Sequence, residues 1–423
     1  MQIFKFGGAS VKDADSVKNV SSILKKFATE PTVVVISAMG KVTNQLEGLV
    51  KAYFYKEGNA LEILNTIKHE HLDLVAQLFS NNNAKVSNDL ENVFVELLWA
   101  LEEEPSFSYN HHYDQIVSQG EVLSTKIISA YLNENGNTNT WLDARGIIQT
   151  DNSYREGKVD YALSASLVQT VLLPALALHP LIITQGFIGG TSENYTTTLG
   201  REGSDYTAAL LAHFTNAHQV VIWKDVPGVL NADPKYFKNT KKIDELSYHD
   251  AIELTYFGVS VIHPKTIKPL QNKNIPLYVK SFLKPEEAGT VICDSGTRSQ
   301  VTTYIFKADQ ILLSIQPKDF SFIAEDNLGA IFNLFSKYSV HINMMQNSAI
   351  SFSICVDDDP YKISGLIEDL QGNFKVLYNK NVQLMTIRNY DQETIAKLSA
   401  DKVVLIEQRS RHTHQMVMME AAN

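Results

Sequence analysis

The strongest constraint on the fold is a series of short apolar runs separated by longer stretches with helical spacing. Segments 3–6 (IFKF), 32–37 (TVVVIS), 138–144 (TNTWLDA), 181–187 (LIITQGF) and 219–223 (QVVIW) read as strands. Several are apolar without interruption, as a parallel strand covered on both faces requires. Between them, 14–27, 44–79, 90–101, 120–133 and 205–214 carry helical periodicity. The βαβα rhythm predicts an α/β domain with an open, mainly parallel sheet. The pattern changes after turn residues cluster at 294–300. Beyond them the spacing predicts strand 310–316, helix 327–338, strands 340–345 and 350–356, helix 360–371 and strand 374–377, a ferredoxin-like βαββαβ unit. A shorter second copy follows, with strand 382–388, helix 392–398 and strands 402–407 and 414–419. It lacks the last helix and strand, so it is expected to leave a sheet edge that needs a partner. The expected divisions are 1–293, 301–380 and 381–423.

Charge and cysteine usage narrow the functional classes. Lysine and arginine number 37 against 47 aspartates and glutamates, a net charge of −10, the opposite of what a nucleic-acid or anionic-membrane binder needs. Two cysteines, Cys293 and Cys355, are too few for a disulfide framework or a zinc site. The opening MQIFKFGG has no basic segment followed by an apolar run, so no secretory leader is expected and a cytoplasmic location is. The most apolar stretch, from Val171, is interrupted by Pro174, His179 and Pro180 and falls short of the ~20 residues of a membrane span. Neither GxxxxGK[ST] nor GxGxxG occurs.

Three motifs carry chemistry. In Lys5-Phe-Gly-Gly-Ala-Ser-Val11 a lysine ends a strand and two glycines follow, so backbone N–H groups can approach an anion beside a fixed cation. A surface lysine before a glycine turn fits these residues equally well. In Thr198-Leu-Gly-Arg-Glu-Gly-Ser-Asp205, Ser204 and Asp205 open a helix, and Arg201 offers a fork for a carboxylate. The third, Trp223-Lys-Asp-Val-Pro-Gly-Val-Leu-Asn-Ala-Asp-Pro-Lys235, lies past a buried strand, where α/β sheets bind ligands. Its Lys224 and Lys235 suit phosphates, although its aspartates also suit turns. The pairs His69/His71, His111/His112 and His412/His414 lack partners at metal spacing and read as surface or loop residues.

Taken in order, these pieces resemble the aspartate kinases of the amino-acid kinase superfamily. The resemblance spans almost the whole chain. It rests on KFGGASV, SAMGKVTN, SQGEVLST, TQGFIG, TLGREGSDYTAALLA, WKDVPGVLNADP and FGVSVIHPKT, with 328–357 similar to an ACT regulatory domain. It implies transfer of the ATP γ-phosphoryl group, with Mg²⁺, to the β-carboxylate of L-aspartate, the entry to lysine, threonine and methionine synthesis. By position it implies Lys5 and Asp205 as the catalytic pair, and Ser37, Thr43, Glu121, Phe187, Arg201 and Ser204 around aspartate. Lys5, Gly7, Gly8, Lys224, Asp225, Leu230, Lys235 and Ser260 fall at the nucleotide, and no resident metal site is implied. Asn343, Asn347 and Ser348 fall at an effector position for lysine or threonine, in ACT units expected to pair in a homodimer. The family commonly has Thr where Lys224 stands, Lys where Ser260 stands and an acid where Asn343 stands. Two other readings are a kinase for a different acidic substrate and a catalytically weak amino-acid sensor on a kinase fold.

Overall fold

The computed structural model describes residues 1–79, 84–259, 261–296, 300–319 and 321–421. The chain divides into two compact units. The first comprises Met1–Val229, Lys242–Thr255 and Ser260–Ser299, the second Leu230–Lys241, Tyr256–Val259 and Gln300–Asn423.

An eight-stranded sheet organises the first unit. In spatial order its strands are Thr140–Leu142, Leu181–Gln185, Thr32–Ile36, Gln2–Phe6, Gln219–Lys224, Leu277–Ser281, Thr290–Cys293 and Glu245–Ser247. The first six run parallel, and Thr290–Cys293 is antiparallel to Leu277–Ser281. Gln2–Phe6, Thr32–Ile36 and Leu181–Gln185 are buried at every position, which is why their sequences are nearly unbroken apolar runs. From Gln2–Phe6 the chain crosses to Thr32–Ile36 on one side, whereas Gln219–Lys224 joins on the other. That reversal opens a crevice at the carboxyl ends of the strands.

Helix Ala14–Phe27 falls where its periodicity places it. It buries Val17, Val20, Ile23 and Leu24, with Asp13 accepting from the Ser16 N–H at its start and Lys25 and Lys26 in its last turn. The expected helix 44–79 is instead two helices, Val42–Tyr55 and Ala60–Leu78. Lys56 (φ 57°) and Gly58 (φ 89°) both turn left-handed there, and Asn59 caps the second helix by accepting from the Glu62 N–H. Three histidines read from sequence as surface or loop residues are buried in helices or strands: His71, His111 and His414. His71 shares a stripe with Leu64, Ile67, Leu74 and Leu78, so helical spacing carries it inward.

The apolar stretch around Val171 also differs from expectation. Tyr161–Leu178 is helical throughout and, among the described residues, is the one helix long and apolar enough to cross a membrane by length and composition. A π-turn at Val168–Leu172 precedes Pro174, and the widened turn lets the helix run through the proline. Ser164, Val168, Leu172 and Leu176, four residues apart, form its buried stripe, while Leu178 is 79% exposed.

The second unit has a six-stranded antiparallel sheet in the order Ile342–Asn347, Phe352–Asp357, Thr303–Pro317, Phe374–Arg388, Thr413–Glu420, Lys402–Arg409. Helices Glu325–Lys337 and Pro360–Asn373 cover one face through Ile331, Phe335, Ile363, Leu366 and Leu370. The expected strands 374–377 and 382–388 are one strand. The Asn-Lys-Asn between them is absorbed as an irregularity, with Asn381 (φ 56°) and Asp309 (φ 52°) left-handed where the register shifts.

Asn343 is held inside a polar network of this unit. Its Nδ2 donates to Gln310 Oε1 (2.7 Å) and Asp357 Oδ1 (2.9 Å), and its Oδ1 accepts from Lys307 Nζ (2.7 Å). Asn347 is exposed at a strand end, and Ser348 exchanges hydrogen bonds with Ser351 across a turn.

Candidate active site

Four strand ends converge on a cleft of about 1060 Å³ in the first unit. Gln2–Phe6 supplies Lys5, Thr32–Ile36 leads into Ser37, Leu181–Gln185 leads towards Phe187, and Gln219–Lys224 ends in Lys224. Gly7, Gly8, Thr43, Glu121, Arg201, Ser204 and Asp225, also predicted, lie along its wall. Gly8 is required by close approach. A Cβ there would lie 2.8 Å from the Ala38 carbonyl oxygen and 3.0 Å from that of Gly40.

Asp205 lies beneath the cleft, fully buried in the first turn of helix Gly203–Thr215. Its Oδ1 is 2.6 Å from Lys5 Nζ and its Oδ2 is 3.2 Å from Lys224 Nζ. Lys224 Nζ also donates to the Val261 carbonyl at 2.6 Å. Burial pushes the Asp205 carboxyl up, but the two ammonium groups and their hydrogen bonds outweigh it and hold it below the usual carboxylate range. The ionised Asp205 between the two lysines fixes both ammonium groups at the cleft floor, with Glu202 Oε2 3.9 Å from Lys224 Nζ as a second, more distant carboxylate. A phosphate placed there meets cations that need no reorganisation.

Glu121, Arg201 and Phe187 also face the cleft. Glu121 opens helix Gln119–Glu134 and is 3% exposed, with Oε1 accepting from the Ala38 N–H at 3.3 Å and Oε2 without a hydrogen-bond partner among the described residues. Burial, only partly offset by that hydrogen bond and by Lys5, pushes its pKa up to about 8. Arg201 is exposed in the turn before helix Gly203–Thr215, and Phe187 is held at φ 69° with its N–H donating to Thr207 Oγ1.

Not every predicted position falls here. Leu230 and Lys235 belong to the Leu230–Lys241 segment of the second unit, where Leu230 is half-buried and Lys235 is exposed in a turn closed by Asp233. Ser260 lies outside the described residues. The cleft also contains residues that sequence reasoning did not single out, among them Glu47, Asn110, Tyr113, Tyr154 and Arg155. Helix Tyr109–Val117 brings in Asn110 and Tyr113. Its sequence signals are Ser108, which caps it by accepting from the His111 N–H, and a short stripe of Tyr109, Tyr113, Ile116 and Val117 that the intervening histidines, Asn110, Asp114 and Gln115 obscure.

Comparison with known proteins identifies the family. Residues 1–281 match the amino acid kinase family. The lysine-sensitive aspartokinase 3 of Escherichia coli is 32% identical over 363 residues, covering 84% of this chain and 78% of that protein. The crystal structure of E. coli aspartokinase III in complex with aspartate and ADP superposes with a TM-score of 0.82 at 26% identity, covering 99% of this chain and 96% of that one. The structure of the same enzyme with lysine and aspartate gives a TM-score of 0.83 at 26% identity, with the same coverage.

Proposed function

The chain belongs to the aspartokinases of the amino acid kinase family, and from that premise we propose how its cleft transfers the γ-phosphoryl group of ATP to the β-carboxylate of L-aspartate. The observation that carries the reading is Asp205 shared by Lys5 and Lys224 at the cleft floor.

The nucleophile is a carboxylate with an ordinary pKa near ~4, ionised at neutral pH, so no general base is needed. The barrier is the approach of two anions. Catalysis therefore rests on positioning and on neutralising charge. Lys5, aimed by Asp205, sits between the acceptor oxygen and the transferred group. The amides of Gly7 and Gly8, with Lys224, take the phosphates. Asp225 on the cleft wall would help hold the Mg²⁺ that accompanies ATP, which would supply further charge neutralisation for the phosphates. Leu230, Lys235 and Ser260 are assigned to the nucleotide by family position alone. Arg201 takes the α-carboxylate and Glu121 the α-ammonium, with Ser37, Thr43, Phe187 and Ser204 enclosing the substrate, so only the side-chain carboxylate faces ATP.

We assign catalysis to 1–293 and regulation to the ACT-like 301–380 and truncated 381–423, pairing in a cytoplasmic homodimer. Asn343, Asn347 and Ser348 form the proposed effector position, with lysine or threonine as the effector. The amide of Asn343, already engaged by Lys307, Gln310 and Asp357, offers an incoming amine no acid.

The direct test supplies ATP, Mg²⁺, L-aspartate and hydroxylamine. Hydroxamate is expected with aspartate and not with glutamate, and chelation of Mg²⁺ should abolish it; no product from aspartate sinks the reading. Glu121 adds a pH signature. Its raised pKa keeps the empty site protonated at neutral pH, whereas the substrate's ammonium requires the carboxylate. Aspartate binding should therefore release a proton and tighten as pH rises towards about 8, by up to ~10-fold per unit. Calorimetry in buffers of different ionisation enthalpy reads this release. The same shift makes the unliganded protein lose stability as pH rises from the unfolded value towards about 8, since the folded state holds the extra proton. Glu121→Gln should flatten both profiles.

A further inference from the structure

Arg155 combines three features that a turn residue does not need together. Its backbone is left-handed at φ 69°, a region that favours glycine and that other side chains occupy mainly where surroundings hold them. Its guanidinium lies 4.4 Å from the centre of the Tyr113 ring, and both residues line the cleft. Among the described residues no carboxylate forms an ion pair with it, so the charge is available to a ligand. Tyr113 is fixed in turn, its hydroxyl donating to Glu47 Oε1 at 2.5 Å.

The backbone around Arg155 is fastened to the segment that carries Arg201. Asp114, with no exposed surface, accepts from the Arg155 N–H (2.9 Å), the Thr198 N–H (2.8 Å) and Thr198 Oγ1–H (2.7 Å). The Gly157 N–H donates to the Thr198 carbonyl at 2.9 Å, and a Cβ on Gly200 would sit 3.2 Å from the Arg155 carbonyl oxygen. Arg155 and Arg201 thus leave adjoining strips of backbone, tied through one buried carboxylate, and enter the same cleft.

We propose that Arg155 is a second guanidinium for the α-carboxylate of the substrate, a specificity-determining residue that acts with Arg201 and is positioned by Asp114. The inference rests on the aspartokinase reading of the cleft. Its chemistry is plain. Aspartate carries two carboxylates, one of which must stay uncommitted to attack phosphorus. Two arginines at the amino-acid end hold the α-carboxylate firmly and leave Lys5 to the other. Tyr113 keeps the guanidinium plane in place before substrate arrives.

Arg155→Gly tests this without straining the fold, because glycine accepts the left-handed backbone and the Asp114 bond uses only the main-chain N–H. The variant should melt at or near the wild-type temperature. Its KM for aspartate should rise ~10- to 100-fold, as expected for loss of a charge-assisted contact, while its KM for ATP stays within about twofold. The decisive comparison is the α-amide of aspartate, used as substrate or competitor. Wild type should prefer aspartate strongly, and Arg155→Gly should compress that preference by the same factor, with Arg155→Lys between the two. An unchanged aspartate KM overturns the proposal, and so does an equal loss for aspartate and its α-amide, which would make Arg155 a shaper of the loop only. Absence of hydroxamate from the wild-type protein removes the aspartokinase reading itself, a separate outcome.

Discussion

Replacing Lys5 with alanine is expected to lower kcat for acyl-phosphate formation by about a thousandfold or more, with KM for aspartate changing far less. A single preorganised donor at a developing charge is worth ~10²–10³ in rate. Lys5 supplies a full positive charge in a site that is 5% exposed, where little solvent screens it. The change also removes one partner of a buried carboxylate, a loss that alone costs ~3–5 kcal/mol. Lys224, 3.2 Å from the other oxygen, limits the damage. Stability and chemistry separate in the double variant Lys5→Met/Asp205→Asn, which takes both charges away together. It should recover much of the melting temperature lost in Lys5→Ala and none of the activity. Recovery of both would mean that Lys5 acts only by holding Asp205.

Gly186→Ala should be nearly as damaging, by a steric route. A Cβ on Gly186 would lie 2.4 Å from Cβ and 2.7 Å from Cα of Ser204, closer than real contacts allow. Gly186 cannot move aside freely, because its N–H donates to the Ile36 carbonyl at 2.9 Å. The start of helix Gly203–Thr215 must therefore retreat, carrying Ser204 and Asp205 with it. Displacement of about 1 Å at a reacting centre costs ~10²-fold, so kcat/KM should fall by at least that much. Overpacking of this kind also costs ~1–3 kcal/mol, read as a lower melting temperature. Gly329→Ala is the matched control. Gly329 is exposed in helix Glu325–Lys337 with nothing near its added Cβ, so alanine should be neutral or stabilising by up to ~1 kcal/mol. Equal activity in the two variants would rule out the steric argument.

Much of this site was legible because its residues end buried strands. A lysine closing an apolar run before two glycines, or an aspartate opening a helix behind Arg-Glu-Gly-Ser, has a place in an α/β fold before any coordinates exist. What escaped has physical reasons. Helix Tyr109–Val117 mixes aromatic, histidine and acidic residues, and Asp114 is buried because three donors satisfy it, a fact that no periodicity encodes. The hairpin of Ile188–Gly190 and Thr196–Thr198 consists of the three-residue strands Ile-Gly-Gly and Thr-Thr-Thr, too short to show a pattern. Arg155 was missed because a left-handed turn is ordinarily announced by glycine or asparagine. The break between Val42–Tyr55 and Ala60–Leu78, by contrast, was written in Lys56-Glu57-Gly58-Asn59, a turn followed by a cap, inside an apolar pattern strong enough to obscure it.

The second unit's central ribbon has a mechanical consequence. Thr303–Pro317 and Phe374–Arg388 are each 15 residues long, or ~50 Å at the usual rise per residue. They stay paired from Thr303↔Arg388 to Pro317↔Phe374, and their register slips only around Asp309 and Asn381. At that joint the extra residues bend the ribbon and strengthen its twist, so the two halves of each long strand leave it in different directions. Removing one residue from each side of the joint would restore a single register and give the ribbon one uninterrupted direction.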